Sequence, residues 1–390
     1  MIAIHNSAGL MSNSPKKILF ISGTRADFGK LKPLMQAVSD HPDFEYQVFG
    51  TGMHMLSKYG NTINEIKRAG FDRVFMFINQ IEGDSMELIL ANTITGLTKF
   101  LHENHVDLIV IHGDRVEALA GAIVGALRNI LVAHVEGGEV SGTIDDLMRH
   151  ATSKLSHIHF VANTTAEKRL QQLGESESSI FHIGSPDVDI MLSDKLPSLD
   201  DAKKRYNVSF NSFSIAMLHP VTTEVDLQFK HASVFAEAML ESNQNYIVIY
   251  PNNDLGSHEI FSAYKLLNDN PRVRIFPSLR FEHFLTFLKH ADFIIGNSSA
   301  GIHEAPIYGV PTINLGTRQL NRFQYESIFN AEFDKRAILE NINRVLKTKR
   351  FTPCDHYGDG TSAQKFMSVL TSEAMWQISQ QKKFRDLQLN

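Results

Sequence analysis

Several things are scarce in this chain, and each scarcity excludes something. Its 390 residues include one cysteine, Cys354. No intrachain disulfide can form, and a cysteine-based metal site is disfavoured. Such usage fits a reducing cytoplasm. No apolar run reaches the roughly 18–20 residues that a membrane span needs. Positive charge is not in excess: 38 Lys and Arg face 43 Asp and Glu, a formal net charge of −5. Nucleic acid is therefore not an expected partner, although local basic positions could hold a phosphate-bearing small molecule. Fixed-period repeats and low-complexity segments are absent. Residues 1–15 are mixed and rich in Ser and Asn, without the basic and apolar regions of a signal peptide, and read as a flexible leader.

What is present is an ordinary globular composition, 43% hydrophobic and 21% charged, with length for two or three domains. Short β-branched or aromatic runs alternate with helical patterns. Strands are predicted at 17–22, 46–50, 74–78, 107–112, 130–135, 157–162 and 180–183. Helices are predicted at 30–39, 85–104, 117–127, 144–155 and 166–173. This alternation implies a parallel sheet with helices on both faces. The pattern loosens at 193–212, then resumes with strands at 214–218, 246–250, 273–276, 293–295 and 312–315 and helices at 229–241 and 282–291. The expected organisation is a first α/β domain over 16–195, a second over 196–375, and a tail or helix end over 376–390. Two doubly wound domains bind ligand in the cleft between them, where the carboxyl ends of the strands point.

Motifs at those ends carry the chemistry. After the first strand comes Ser22-Gly23-Thr24-Arg25-Ala26-Asp27-Phe28-Gly29-Lys30. A Gly-containing turn opening a helix suits phosphate, and Arg25 and Lys30 add charge. The bland alternative is a tight turn with solvated charges. His112-Gly113-Asp114-Arg115 follows a buried strand. Its two charges could pair with each other, or Asp114 could tune a neighbouring acid while Arg115 faces a phosphate. The richest stretch is His134-Val-Glu-Gly-Gly-Glu-Val-Ser-Gly-Thr-Ile-Asp-Asp-Leu-Met-Arg149. It sets Glu136, Glu139, Asp145 and Asp146 around a Gly137-Gly138 turn, a costly cluster for folding and a useful one for acid–base work. Glu136 leaves a buried strand. Thr143 and Asp146 have the spacing of a capping box, so capping alone is the competing account of Asp146, and a first-turn acid that of Asp145.

In the second half, His219 begins His-Pro-Val-Thr-Thr-Glu224 at a strand end. Asn252 lies in Tyr-Pro-Asn-Asn-Asp254, a turn whose side chains could bond a base or ribose. Gly296-Asn-Ser298-Ser299-Ala-Gly301-Ile-His-Glu304-Ala-Pro306 reads as a phosphate cradle, with Glu304 placed to accept ribose hydroxyls. A plain N-cap explains Ser298 or Ser299 equally well. Arg318, in Asn314-Leu-Gly-Thr-Arg-Gln319, could neutralise a diphosphate.

Taken together, GTRADFGKLKPL (23–34), HGDR, HVEGGEVSGTIDD (134–146), HPVTTE, YPNND, GNSSAGIHEAP and NLGTRQ make the chain resemble the hydrolysing UDP-N-acetylglucosamine 2-epimerases of sialic acid biosynthesis, over about residues 17 to 345. The resemblance implies a GT-B-type α/β fold, two Rossmann-like doubly wound domains around a cleft, with no cofactor and no metal. It implies loss of the C2 proton and of UDP to give a 2-acetamidoglucal, then water addition to release N-acetylmannosamine. It carries catalytic roles onto Asp114, Glu136, Asp146 and His219. UDP binding falls to Arg25, Lys30, Arg115, Asn252, Ser298, Ser299, Gly301, Glu304 and Arg318, with Asp145 and Glu139 in support. The expected partner is a UDP-sugar, and the family implies a homodimer or homotetramer. Gly184-Ser-Pro-Asp187-Val-Asp189 looks closer to bacterial members, some of which act on UDP-N,N′-diacetylbacillosamine for legionaminic acid. A nucleotide-sugar glycosyltransferase of the same architecture is the alternative from a different enzyme class.

Overall fold

The computed structural model describes residues 14–386 apart from 142, 143, 253, 320 and 349. Two wholly parallel sheets form. The first comprises β1 Lys16–Ser22, β2 Phe44–Gly50, β3 Val74–Met76, β4 Leu108–His112, β5 Leu131–Val135, β6 Ile158–Val161 and β7 Ile180–His182. Their order is β3-β2-β1-β4-β5-β6-β7. The second comprises β8 Ser214–Met217, β9 Tyr246–Ile249, β10 Val273–Phe276, β11 Ile294–Gly296, β12 Thr312–Leu315 and β13 Ile328–Ala331. Their order is β10-β9-β8-β11-β12-β13. Each sheet is thus doubly wound, with the switch of direction beside its first strand.

Unbroken apolar runs make these strands because both faces are covered. On β1, Ile18 and Phe20 enter one core while Leu19 and Ile21 enter another on the opposite face. On β9, Ile247 and Ile249 pack to one side and Tyr246 and Val248 to the other. The period of two along a strand feeds both layers at once.

The strands lie close to their predicted bounds, with one omission and two corrections of domain extent. The omission is β13, four residues whose apolar content is too brief to stand out from a loop. The first correction is at the linker. Val188 and Met191, on the helix Pro186–Met191, already belong to the second domain's core, ahead of the boundary expected at 195. The second is at the C-terminal end. The helices Ser362–Leu370 and Glu373–Trp376 lie within the span expected of the second domain except for Trp376, yet Phe366, Leu370 and Met375 lie in the first sheet's core. Phe366 meets Phe160 at 4.8 Å between ring centroids. Burying each such side chain contributes about 1.5–3 kcal/mol, enough to draw the chain back.

The chain therefore crosses between domains twice, side by side. Ser185 N–H donates to Tyr357 O at 2.7 Å, and Ser362 Oγ donates to Ser185 O at 3.0 Å. Asp189 accepts from the Ser362 and Ala363 N–H groups, both at 2.8 Å. Beyond the helices, the extended tail is clasped by the buried Glu175, which forms an ion pair with Lys382 at 2.5 Å. No helix among the described residues is long and apolar enough to cross a membrane.

Candidate active site

The carboxyl ends of both sheets open onto one cavity of about 290 Å³. From the first domain come Arg25 and Lys30 after β1, His112, Asp114 and Arg115 at β4, Glu136 after β5, and Asp145 and Arg149 from the helix Ile144–Leu155. From the second come His219 after β8, Asn252 after β9, Ser299, His303 and Glu304 after β11, and Arg318 and Arg322 after β12. Eleven of the residues singled out from sequence share this wall; Glu139, Asp146, Ser298 and Gly301 do not line it.

The turn after β1 is built by a reciprocal cap. Thr24 Oγ1 accepts from Asp27 N–H at 3.1 Å, and Asp27 Oδ2 accepts from Thr24 N–H at 3.0 Å. The helix thus runs Arg25–Ser39, five residues earlier than predicted from Lys30. Gly29, which the sequence places in the turn, sits inside the helix, where a Cβ would come 2.5 Å from Phe281 Cγ of the second domain. Starting early puts Arg25 at the positive end of the helix, beside the cavity. Arg25 is held by Glu65 at 2.5 Å and by Ser278 of the second domain at 2.6 Å.

Glu136 is the most constrained of the acids. Its φ is +61°, a left-handed conformation that costs a non-glycine residue about 1–3 kcal/mol. The carboxylate is buried and accepts from Lys30 Nζ at 3.2 Å, from His112 Nε2 at 3.0 Å and from Ser185 Oγ. Burial acts to raise its pKa, but Lys30 and His112 outweigh it and hold the carboxyl well below the usual range. His112 also reaches Asp27 Oδ1 through Nδ1 at 3.3 Å. Burial disfavours its charge, yet Glu136 and Asp27 prevail and push the imidazole up to about 9. A carboxylate fixed between two cations keeps its charge without bulk water.

Asp114 pairs with Arg149 and has Arg322 of the second domain at 3.9 Å. Burial works against its charge, and Arg149, Arg322 and Arg318 more than offset it, so the carboxyl is lowered. The adjacent acids on the next helix divide the work differently from the sequence expectation. Asp145 lines the cavity and faces Arg318 at 3.2 Å. Asp146 turns away: its Oδ1 accepts from Ser141 N–H at 2.8 Å and lies 3.4 Å from His150 Nε2. Successive helical positions differ by about 100° in direction, so only one of the two can face the cleft. Asp146 thus fastens the loop that leads into the helix; the capping box expected with Thr143 lies outside the described residues. Glu139, assigned a supporting role, is buried against Asn163 Nδ2 at 2.5 Å.

On the facing wall, His219 Nδ1 accepts from Asn252 N–H at 3.1 Å. Burial, then Arg318 and Arg115, lower this imidazole to about 3. It is neutral at physiological pH, with Nε2 as its donor. Glu304 is buried, and burial pushes it up to about 7 despite Lys30. Its Oε2 has no hydrogen-bond partner among the described residues. Arg318 also donates to Asn297 O at 3.2 Å. Ser298 caps its own turn, accepting from Ala300 N–H at 3.3 Å, so the plain N-cap account describes it. Gly301 stands where a Cβ would press on Thr312.

Sequence reasoning missed His112, Arg149, Arg322, His303 and Asp187 as members of this polar cluster. Asp187 lies 3.4 Å from Lys30 Nζ. His112 and Arg149 carried a signal, since each sits inside a quoted motif at an element end. Arg322 and Asp187 carried little, because their partners are distant in sequence.

The arrangement can hold a polyanion against Arg25, Arg115 and Arg318 and expose a sugar to Asp114, Glu136 and Asp145. The family profile described as UDP-N-acetylglucosamine 2-epimerase matches residues 36–371. A UDP-N-acetylglucosamine 2-epimerase of Neisseria meningitidis is 48% identical over 96% of this chain and 100% of that protein. A hydrolysing UDP-N,N′-diacetylbacillosamine 2-epimerase of Legionella pneumophila is 34% identical over 91% of this chain and 95% of its own length. A solved UDP-GlcNAc 2-epimerase from Methanocaldococcus jannaschii, in complex with UDP-GlcNAc and UDP, superposes with a TM-score of 0.78. It covers 91% of this chain and 99% of its own at 22% identity, a likeness of fold. By sequence match and by architecture, then, this chain belongs to the UDP-N-acetylglucosamine 2-epimerase family.

Proposed function

We propose that the protein is a hydrolysing 2-epimerase that converts UDP-N-acetylglucosamine and water to N-acetylmannosamine and UDP, as a step toward sialic acid. One observation carries the reading: three carboxylates from one domain and a neutral histidine with an arginine from the other meet in a single cavity. The 48% identity to the Neisseria protein supports the substrate, and the hydrolysing relative supports the use of water.

Departure of UDP supplies the driving force, because a proton beside an N-linked amide is only weakly acidic. Arg25, Arg115 and Arg318 stabilise the diphosphate as it leaves. His219 donates from Nε2 as a neutral imidazole. With a pKa near 3 it stabilises the leaving group by a hydrogen bond rather than by delivering a proton. Asp114 and Asp145 are the candidates to take the C2 proton. Asp145 replaces Asp146 in that role because it faces the cavity. Glu136, pinned by Lys30 and His112, orients the sugar hydroxyls or the incoming water.

Incubation with UDP-N-acetylglucosamine in deuterated water tests this. The expected products are UDP and free N-acetylmannosamine carrying deuterium at C2. Intact UDP-N-acetylmannosamine would replace hydrolysis by simple epimerisation. Transfer of the sugar to an acceptor would establish the glycosyltransferase alternative. The Legionella relative supports UDP-N,N′-diacetylbacillosamine as a second substrate of the same reaction class. Relative kcat/KM on the two nucleotide sugars decides between them.

A further inference from the structure

His303 follows the short turn Ser299–Gly301 and lines the cavity. It is 4% exposed, and neither ring nitrogen has a hydrogen-bond partner among the described residues. Buried polar atoms in native proteins are paired with protein, water or ligand. The ring is not loosely placed. It lies flat on Tyr357, with centroids 4.3 Å apart and planes at 15°. Tyr357 is itself buried and is met edge-on by Phe323 at 5.5 Å and by His356 at 4.9 Å. This aromatic backing sets the plane in which the two nitrogens are presented.

The charge state limits what they can bind. Burial first, and then Lys30 and Arg322, hold His303 well below the usual imidazole range, so it is neutral and offers one donor and one acceptor. A phosphate oxygen only accepts and would satisfy a single nitrogen. A sugar hydroxyl both donates and accepts, so it can meet either nitrogen, one at a time. Position agrees with chemistry: the charges felt by His303 are those of Lys30, Arg322, Glu136 and Arg149, the groups gathered about the reacting acids.

Resting on the reading of the cavity as a UDP-sugar site, we propose that His303 hydrogen-bonds a ring hydroxyl of the substrate's pyranose and so helps set which sugar is accepted. It is a binding and specificity residue, not a participant in proton transfer.

The test is steady-state kinetics of full-length His303→Phe, which keeps the stack on Tyr357 and removes both nitrogens. KM for UDP-N-acetylglucosamine is expected to rise roughly tenfold, as for loss of a buried hydrogen bond. The expected kcat stays within about twofold, and inhibition by UDP alone is unchanged. His303→Gln, which restores a donor and an acceptor without the ring, should recover part of the KM. An unchanged KM with a lower melting temperature overturns the proposal and leaves His303 a packing residue. An equal loss of affinity for UDP also overturns it, because the residue would then read the nucleotide. If the wild-type protein turns over no UDP-sugar, the underlying reading falls, and this one with it.

Discussion

The two domains have the same strand order about their first strands, yet they line the cavity with different chemistry. The first sheet ends in acids: Asp114 after β4, Glu136 after β5 and Asp145 on the next helix. The second ends in two neutral histidines, hydroxyl and amide side chains, an arginine pair and a glutamic acid pushed up to about 7. What separates the walls is the support behind each group. Glu136 is backed by Lys30 and His112 and Asp114 by Arg149, which keep both ionised, while Asp145 reaches across to Arg318. Among the described residues no carboxylate holds a proton on His219, and Arg318 and Arg115 repel one. The same backbone plan thus yields an acidic wall and a largely neutral and basic one, which in the proposed reaction would move protons and hold the leaving group respectively.

Breaking the acid wall should have the largest effect. Glu136→Gln and Asp145→Asn are each expected to lower kcat on the order of 10²–10⁴-fold while UDP still binds. Initial rates with a UDP affinity measurement check both, and near wild-type turnover of Asp145→Asn would move the base elsewhere. Next is the proton held behind Glu136. The folded pKa of His112 is raised from 6.5 to about 9, so its contribution is fully present below about pH 6.5 and lost as pH rises through 9. The shift corresponds to at most about 3 kcal/mol. Thermal midpoints should fall between pH 6.5 and 9, and His112→Gln should flatten that decline. Disabling the other wall is expected to separate binding from acid–base work. Arg318→Ala should weaken UDP about tenfold or more, through loss of a charge-assisted contact. Calorimetry showing unaltered affinity would take Arg318 out of the diphosphate site. The smallest change sharpens the pair on one helix. Asp146→Ala should keep its activity and lose about 1 kcal/mol of stability with the Ser141 contact. A large loss of turnover would restore it to the acid wall.

Much of this was legible beforehand, for identifiable reasons. Doubly covered strands write long apolar runs, and motifs at their ends mark the cleft. Two kinds of information were absent. Asp145 and Asp146 are equivalent in local sequence, and their directions are fixed by how the helix docks on the sheet. Gly29 reads as part of the turn until Phe281 is brought against it from the other domain. Likewise, nothing near Phe366 announces that its partner is Phe160.

The paired crossings at Ser185 and Tyr357–Ser362 bear on how the cleft can open. A domain tied by one strand of chain can swing and twist about it freely. Two ties side by side define an axle. Rotation about that line is the easy motion, and twist about any other strains a tie. Opening about that line would part Arg318 from Asp145 and Arg322 from Asp114 together. The chain path itself, with its two ties at Ser185 and Tyr357–Ser362, would then keep the two walls in register.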